Sequence, residues 1–278
     1  MTAPLVSIVT PSFNQGKYLE ETLLSVERQD YPNIEHIVID GGSTDGSVEI
    51  LRRHEHNLAW WVSEPDNGQT HALCKGFARA KGSILAWLNS DDLLAPSAVR
   101  IAEEFLSTNP QIGLVYGDRI RIDSRGNVTG FDKHPTYYNS MLSRNITLPQ
   151  ETVFFRRNLF EQAGGLDETL SFSMDFDLWC RLAKVTQFKH IAAFLGYFRE
   201  HSECKSVQYQ QSGPDGSEKY YDEHRRVYRH HFGREIPRGL RTRWNRVLHK
   251  LRLLAVHKKK SKLRSLRQLT AAGNRSHI

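Results

Sequence analysis

Apolar residues along the first 120 positions alternate between two spacings. Leu5–Thr10 is a short run rich in Val and Ile, and Pro11, Asn14 and Gly16 then punctuate a turn. Leu19, Leu23 and Val26 follow at helical spacing. Ile34–Ile39 is a second strand-like run, ending at Asp40 and the turn Gly41-Gly42-Ser43. Ser47–Arg53 predicts a short helix, Leu58–Val62 a third strand, and Gln69–Lys81 a helix closed by Gly82. Ser83–Leu88 predicts a fourth strand, Ser97–Leu106 a helix stopped by Asn109-Pro110, and Ile112–Tyr116 a fifth strand. This alternation predicts an α/β domain with a mostly parallel central sheet and helices on both faces. Past residue 120 the alternation weakens. Thr152–Phe155 and Phe188–Leu195 read as strands, Phe176–Ala183 as a helix and Ser206–Ser217 as a polar loop.

Polar clusters fall where the predicted strands end: Ser12 to Asn14, Asp40 to Asp45, Glu64 to Asn67 and Asn89 to Asp92. In open parallel sheets, ligands sit in the crevice beyond the carboxyl ends of the strands. Four separate loops are therefore expected to converge on one site.

Charge divides the chain. Residues 233–278 hold fourteen Lys or Arg and one acid, Glu235, a charge of +13 within a total of +7, so residues 1–232 carry −6. That asymmetry predicts a domain over 1–232 and a separate basic segment over 233–278. In that segment Leu240, Trp244, Val247, Leu251 and Leu254 repeat at helical spacing, flanked by Arg241, Arg243, Arg246, Lys250 and Arg252. The pattern fits a helix lying on an anionic membrane surface, or one packed on the domain and ending in a solvated tail. No run approaches the roughly 18–20 apolar residues of a membrane span. The opening MTAPLVSIVTPS lacks the basic start of a secretory signal. Cys74, Cys180 and Cys204 are odd in number and far apart, which argues against a disulfide framework and a zinc site. A cytoplasmic location is expected. No nucleic-acid recognition module is visible, so no nucleic-acid partner is expected.

Three acidic motifs carry candidate chemistry. Asn89-Ser90-Asp91-Asp92 delivers adjacent carboxylates from a strand to a loop, which suits Mg²⁺ or Mn²⁺ and its phosphate ligands, or alternatively caps the helix near Pro96. Asp40-Gly-Gly-Ser-Thr-Asp45-Gly46-Ser47 lets backbone approach a ligand, or is a turn and a cap. Asp175 and Asp177 lie among aromatics at the start of an apolar helix. A partly desolvated carboxylate there suits a general base, and first-turn acids also complement the helix dipole. Neither GxGxxG nor GxxxxGK[ST] occurs, which disfavours dinucleotide and P-loop readings.

Taken together and in this order, the motifs resemble those of a family 2 glycosyltransferase of the GT-A fold. Val6-Ser-Ile-Val-Thr-Pro-Ser-Phe-Asn14-Gln is similar to that family's first strand and loop, and Ile39-Asp40-Gly-Gly-Ser-Thr-Asp45-Gly-Ser to its nucleotide-binding signature. Glu64-Pro-Asp66-Asn-Gly68 resembles its next loop, Ala86-Trp-Leu-Asn89-Ser-Asp91-Asp92 its DxD region, and Met174-Asp175-Phe-Asp-Leu-Trp the stretch holding its base. The resemblance covers roughly residues 4–205. Two positions depart from it: Asn89 stands where the first DxD acid is usual, and Met174 where an acid usually precedes the base.

The resemblance implies an inverting transfer from a nucleotide-sugar donor to a glycan or lipid-linked hydroxyl. Pro11, Ser12, Asn14, Asp40, Asp45, Asp66, Gly68, Asn89 and Asp91 would bind the nucleotide-sugar. Asp91, Asp92 and His201 would hold Mg²⁺ or Mn²⁺, and Asp175 would be the base. Pro149-Gln150-Glu151 would line the acceptor side. The competing expectations are a nucleotidyltransferase, which would normally show a glycine-rich basic loop that Thr10–Gly16 lacks, and a sugar- or nucleotide-binding protein without turnover.

Overall fold

The computed structural model describes residues 3–135, 139–207 and 218–237. The basic segment from 238 onward, and with it the expected amphipathic stripe of 240–254, lies outside the described residues. In chain order the first half consists of β1 (Val6–Ser12), α1 (Gly16–Glu27), β2 (Ile34–Asp40), α2 (Ser47–His54), β3 (Trp60–Ser63), α3 (Gln69–Arg79) and β4 (Ile84–Trp87). Then come β5 (Leu93–Leu94), α4 (Ala98–Thr108), β6 (Ile112–Asp123), β7 (Val128–Asp132), α5 (Asn139–Leu142), β8 (Phe154–Arg156) and α6 (Arg157–Gln162). The described part closes with α7 (Met174–Leu182), β9 (Gln187–Glu200) and α8 (Glu218–Phe232).

The strands form one sheet in the order β3-β2-β1-β4-β8-β6-β9-β5, with β7 paired to β6. Strands β1 to β4 pair parallel. β8 is antiparallel to both β4 and β6, so β6 points the same way as β4, and β9 pairs parallel with β6. The sheet is therefore mostly parallel, as expected, and the short strands β5, β7 and β8 run opposed.

Alternation of side chains along each strand decides which helices cover which face. In β4, Leu85 and Trp87 face α3, α7 and α8, while Ile84 and Ala86 face α4. In β2, Ile37 and Ile39 face the α3 side, and Val38 packs with Leu19 and Leu23 of α1 and Ile50 and Leu51 of α2. Trp87 and Trp179 stack with ring centroids 5.3 Å apart, fixing α7 against β4.

Differences from the expected elements concentrate after residue 112. β6 runs to Asp123 and β9 to Glu200, well past the apolar runs that announced them. Their extensions carry polar and charged residues with partners across the sheet: Asp118 Oδ1 lies 2.7 Å from His190 Nε2, Arg119 Nε donates to Asp132 Oδ2 at 3.2 Å, and Arg121 Nη1 to Glu200 Oε2 at 3.2 Å. The expected strand over Thr152–Phe155 is present two residues later as β8, after a single 3₁₀ turn over Gln150–Thr152. α8 has no counterpart among the expected elements. Of the expected loop over Ser206–Ser217, residues 208–217 lie outside the described residues. Among the described residues, no helix is long and apolar enough to cross a membrane.

Candidate active site

The loops after β1 and β2 are bound to each other. Asn14 donates its backbone N–H to Ser43 Oγ (2.7 Å) and accepts from Thr44 N at Oδ1 (2.9 Å). Asp45 accepts from Gly16 N at 2.8 Å and from Ser47 Oγ at 2.6 Å. Asp40, fully buried, accepts from the backbone amides of Gly42 and Ser43, and from the hydroxyls of Ser43 and Ser63. Its carboxylate is thus taken up by the loops after β2 and β3. Gly42, at φ +83°, makes the turn that lets those amides point inward. A Cβ on Gly41 would stand 2.9 Å from Asp66 Oδ2, so a side chain there would displace the Asp66 carboxylate.

A cavity of about 500 Å³ lies beyond the strand ends. Pro11, Ser12, Gly41, Asp66, Gly68, Asn89, Asp91, Asp92 and Asp175 line it. Asn14, Asp40, Asp45 and His201 do not: Asp40 and His201 are buried, and the exposed Asn14 and Asp45 tie the loops after β1 and β2 together. The expected convergence of four strand-end loops is therefore present. Its opposite wall comes from the second half of the chain: Arg119, Gln150, Glu151, Phe172, Phe198 and Lys205. Phe13, 60% exposed, stands at the rim with an open ring face.

Three residues were expected to ligate a metal, and they differ in exposure and partners. Asp91 faces the cavity, and its Oδ2 lies 2.9 Å from His201 Nε2. His201 is buried behind it, so as placed its ring orients the Asp91 carboxylate rather than facing the cavity. Asp92 borders the cavity but is 2% exposed, and its carboxylate is bonded within the fold. Its Oδ1 accepts from Arg199 N at 2.9 Å and its Oδ2 faces Asn89 Nδ2 at 3.4 Å. Burial, then the charges of Asp91 and Glu151, push the Asp92 carboxyl well above the usual carboxylate range. Among the described residues, no group of three or more His, Cys, Asp or Glu side chains comes together as a metal cage. A partly exposed Asp91 braced by His201 still fits Mg²⁺ or Mn²⁺, which commonly take one or two carboxylates and complete their shell with water and phosphate.

Arg199 fixes this loop from β9. Its guanidinium is 1% exposed, donates to the Asp91 carbonyl at 2.8 Å and to Glu21 Oε2 at 2.6 Å, and lies over the Tyr18 ring.

Asn89 is the centre of a hydrogen-bonded chain whose direction is set at both ends. Lys205 Nζ can only donate, and donates to Gln69 Oε1 at 3.2 Å. Gln69 Nε2 donates to Asn89 Oδ1, Asn89 Nδ2 to Gln150 Oε1, and Gln150 Nε2 to the Trp87 carbonyl, which can only accept. An Asp at 89 has no N–H for Gln150 or Asp92. The amide at this position is therefore what its neighbours require.

Asp175 opens α7 and accepts from Phe176 N at 2.6 Å. Desolvation, with the charge of Glu223 as a lesser cause, pushes its carboxyl up to about 6. Asp177, two residues on, points away to Arg181 and His231 and is held below the usual carboxylate range by those hydrogen bonds and charges. The structure thus assigns the two acids of the motif to different surroundings. Met174, where an acid had been usual, is buried in the core.

The comparisons with known proteins bear on this arrangement. Residues 7–164 match the family model described as Glycosyl transferase family 2. The chain belongs to that family. It is 35% identical over 195 residues to an uncharacterised glycosyltransferase of Mycobacterium tuberculosis, covering 67% of this chain and 71% of the relative. It is 30% identical over 194 residues to chondroitin synthase of Escherichia coli, covering 68% of this chain and 28% of that longer protein. Staphylococcus aureus TarS in complex with UDP-GlcNAc superposes with a TM-score of 0.64 at 17% identity, over 80% of this chain and 65% of that one. A mannosyltransferase from Pyrobaculum calidifontis, in complex with GDP-Man and Mn²⁺, superposes with a TM-score of 0.58 at 24% identity, over 76% of this chain and 61% of that one. These establish the GT-A fold, and the family makes the chain a nucleotide-sugar glycosyltransferase.

Sequence reasoning missed Phe13, Gln69, Arg119, Phe172, Phe198 and Lys205 as wall residues. Phe13 and Gln69 adjoin recognised motifs, and their position next to a strand end was a usable signal. Arg119, Phe198 and Lys205 lie in stretches without a motif.

Proposed function

We propose that this glycosyltransferase uses Mg²⁺ or Mn²⁺ and inverts the anomeric carbon, moving a sugar from a UDP-sugar to a hydroxyl of a growing polysaccharide, lipopolysaccharide or glycolipid. The observation that carries this reading is that Asp91, in the loop after β4, and Asp175, at the start of α7, line one cavity of about 500 Å³. The complexes of TarS with UDP-GlcNAc and of the archaeal mannosyltransferase with GDP-Man and Mn²⁺ support a nucleotide-sugar and a divalent cation here.

In this mechanism Asp175 accepts the proton of the acceptor hydroxyl as that oxygen attacks the anomeric carbon. The carbon–oxygen bond to the diphosphate breaks, and the nucleoside diphosphate leaves with the bonding pair. A base whose carboxyl titrates near 6 is ionised at neutral pH yet basic enough to hold the proton. Asp91, oriented by His201, would hold the cation, whose chemistry there would be to neutralise charge developing on the leaving diphosphate. Lys205 and Arg119, both on the cavity wall, add positive charge, and Phe13 offers a ring face to the base. Asn14, Asp40 and Asp45 act through the loops they bind. The basic segment 233–278 would place the enzyme at the inner face of a membrane, beside lipid-linked acceptors, in an otherwise cytoplasmic protein.

The test is nucleoside diphosphate release from UDP-, GDP- and dTDP-sugars with Mn²⁺ and no acceptor. Release from one donor, abolished by chelator and by Asp91→Ala, is expected. No release together with no donor binding by calorimetry would overturn the reading in favour of a binding protein without turnover. Pyrophosphate release from a nucleoside triphosphate would favour a nucleotidyltransferase.

A further inference from the structure

Three successive backbone amides just ahead of α7 point at one carboxylate from another element. Glu223 of α8 accepts from Ser171 N at 2.9 Å through Oε2, and from Phe172 N at 2.8 Å and Ser173 N at 2.7 Å through Oε1. Glu223 is 7% exposed, so these bonds form away from water. Consecutive amides turned the same way make a concave anion site, which here is filled by a side chain of the same protein. Ser173 caps α7 without a side-chain hydrogen bond to its amides, and Met174 beside the base is apolar and buried. The carboxylate that organises this turn therefore arrives from about fifty residues downstream.

Resting on the glycosyl-transfer reading above, we propose that Glu223 is a positioning residue for Asp175. By gripping Ser171–Ser173 it sets the backbone from which the base projects into the cavity.

Neighbouring contacts fit that role. Thr70 Oγ1 donates to the Leu170 carbonyl at 2.5 Å, holding the other end of the turn. His224, next to Glu223, lies 3.0 Å from Ser173 Oγ through Nδ1. Phe172, within the gripped turn, lines the cavity and packs on Tyr220 of α8 with ring centroids 4.9 Å apart. The titratable groups around Asp175 are few. Glu223 and His224 approach from α8, Cys180 and Asp177 from α7, and Lys205 from the 205–207 turn, where it bears on Glu223. Asp177 is already paired with Arg181 and His231. The charge of Glu223 raises the Asp175 carboxyl, so removing it moves that titration down.

The experiment compares wild type, Glu223→Gln, Glu223→Asp and His231→Ala in the full chain. His231→Ala removes the bond from α8 to Asp177 and leaves the three Glu223 bonds to the turn in place. Two readouts need no turnover: exchange rates of the Ser171–Ser173 amides, and the titration of Asp175 followed by its ¹³C carboxyl signal. Glu223→Gln is expected to speed that exchange by about tenfold or more. It should also move the Asp175 titration below its wild-type value, while Glu223→Asp keeps the titration in place. In turnover, Glu223→Gln is expected to lower kcat by about tenfold or more with the donor Kd within about twofold, because only the position of the base is lost. Unchanged exchange and titration in Glu223→Gln, or the same changes in His231→Ala, would overturn the proposal. If wild type releases no nucleoside diphosphate, the glycosyl-transfer reading falls, and exchange and titration still decide whether Glu223 positions Asp175.

Discussion

The two halves of the site are held in different ways. The β1-to-β4 half organises its loops through bonds within and between its successive βα units: Asp40 binds Gly42, Ser43 and Ser63, and Asn14 and Asp45 tie adjacent loops together. The half after residue 112 works at long range. Arg199 reaches back from β9 to Asp91 and Glu21, and Glu223 from α8 to the turn before α7. The first half is a cradle assembled from successive βα units, its bonds spanning at most 30 residues. The second half is a set of clamps that exist only after the sheet has closed.

The largest effect is expected where the second half meets chemistry. Asp175→Asn should lower transfer by about 10²–10⁴-fold in steady-state assays while donor binding persists. In wild type, kcat should fall as pH drops through about 6, because protonated Asp175 cannot take the acceptor proton. An acid limb near 4 would show that the base is not desolvated.

Next comes the long-range clamp on the metal-motif loop. Arg199→Ala leaves the Asp91 carbonyl and Glu21 without their partner and removes a buried guanidinium, which should destabilise by about 3–5 kcal/mol in denaturant unfolding. Because Glu21 is itself half exposed, water can take over its side of the pair, so the lower end of that range is expected. The local cradle should be more forgiving. Asp40→Asn keeps one oxygen acceptor and loses charge assistance, for about 1–3 kcal/mol. A larger loss for Asp40→Asn than for Arg199→Ala would reverse the contrast between the halves.

The smallest effect concerns Asn89. Asn89→Asp restores the usual acid but cannot donate to Gln150, and should weaken Mn²⁺-dependent donor binding by only about tenfold, one broken hydrogen bond of ~1.4 kcal/mol. Calorimetry showing tighter Mn²⁺-dependent binding instead would make residue 89 a ligand position.

The sequence by itself determined the alternating elements up to Tyr116, the parallel start of the sheet, and the convergence of its loop residues Ser12, Asp66, Asn89 and Asp91. These are readable because strand and helix periods, glycine turns and strand-end acids act over a few residues. It also marked Asp175 and Asp177 as acids among aromatics, of which the family resemblance singled out Asp175. It did not separate Asp91 from Asp92, whose carboxylate is bonded to the backbone amide of Arg199, 107 residues away. Nor did it show that Asp40 faces its own loops, that β6 and β9 continue through paired charges, or that α8 supplies Glu223. Those outcomes were decided by tertiary structure. A charged side chain is buried only when a partner from another element meets it, and nothing local to that residue announces the partner.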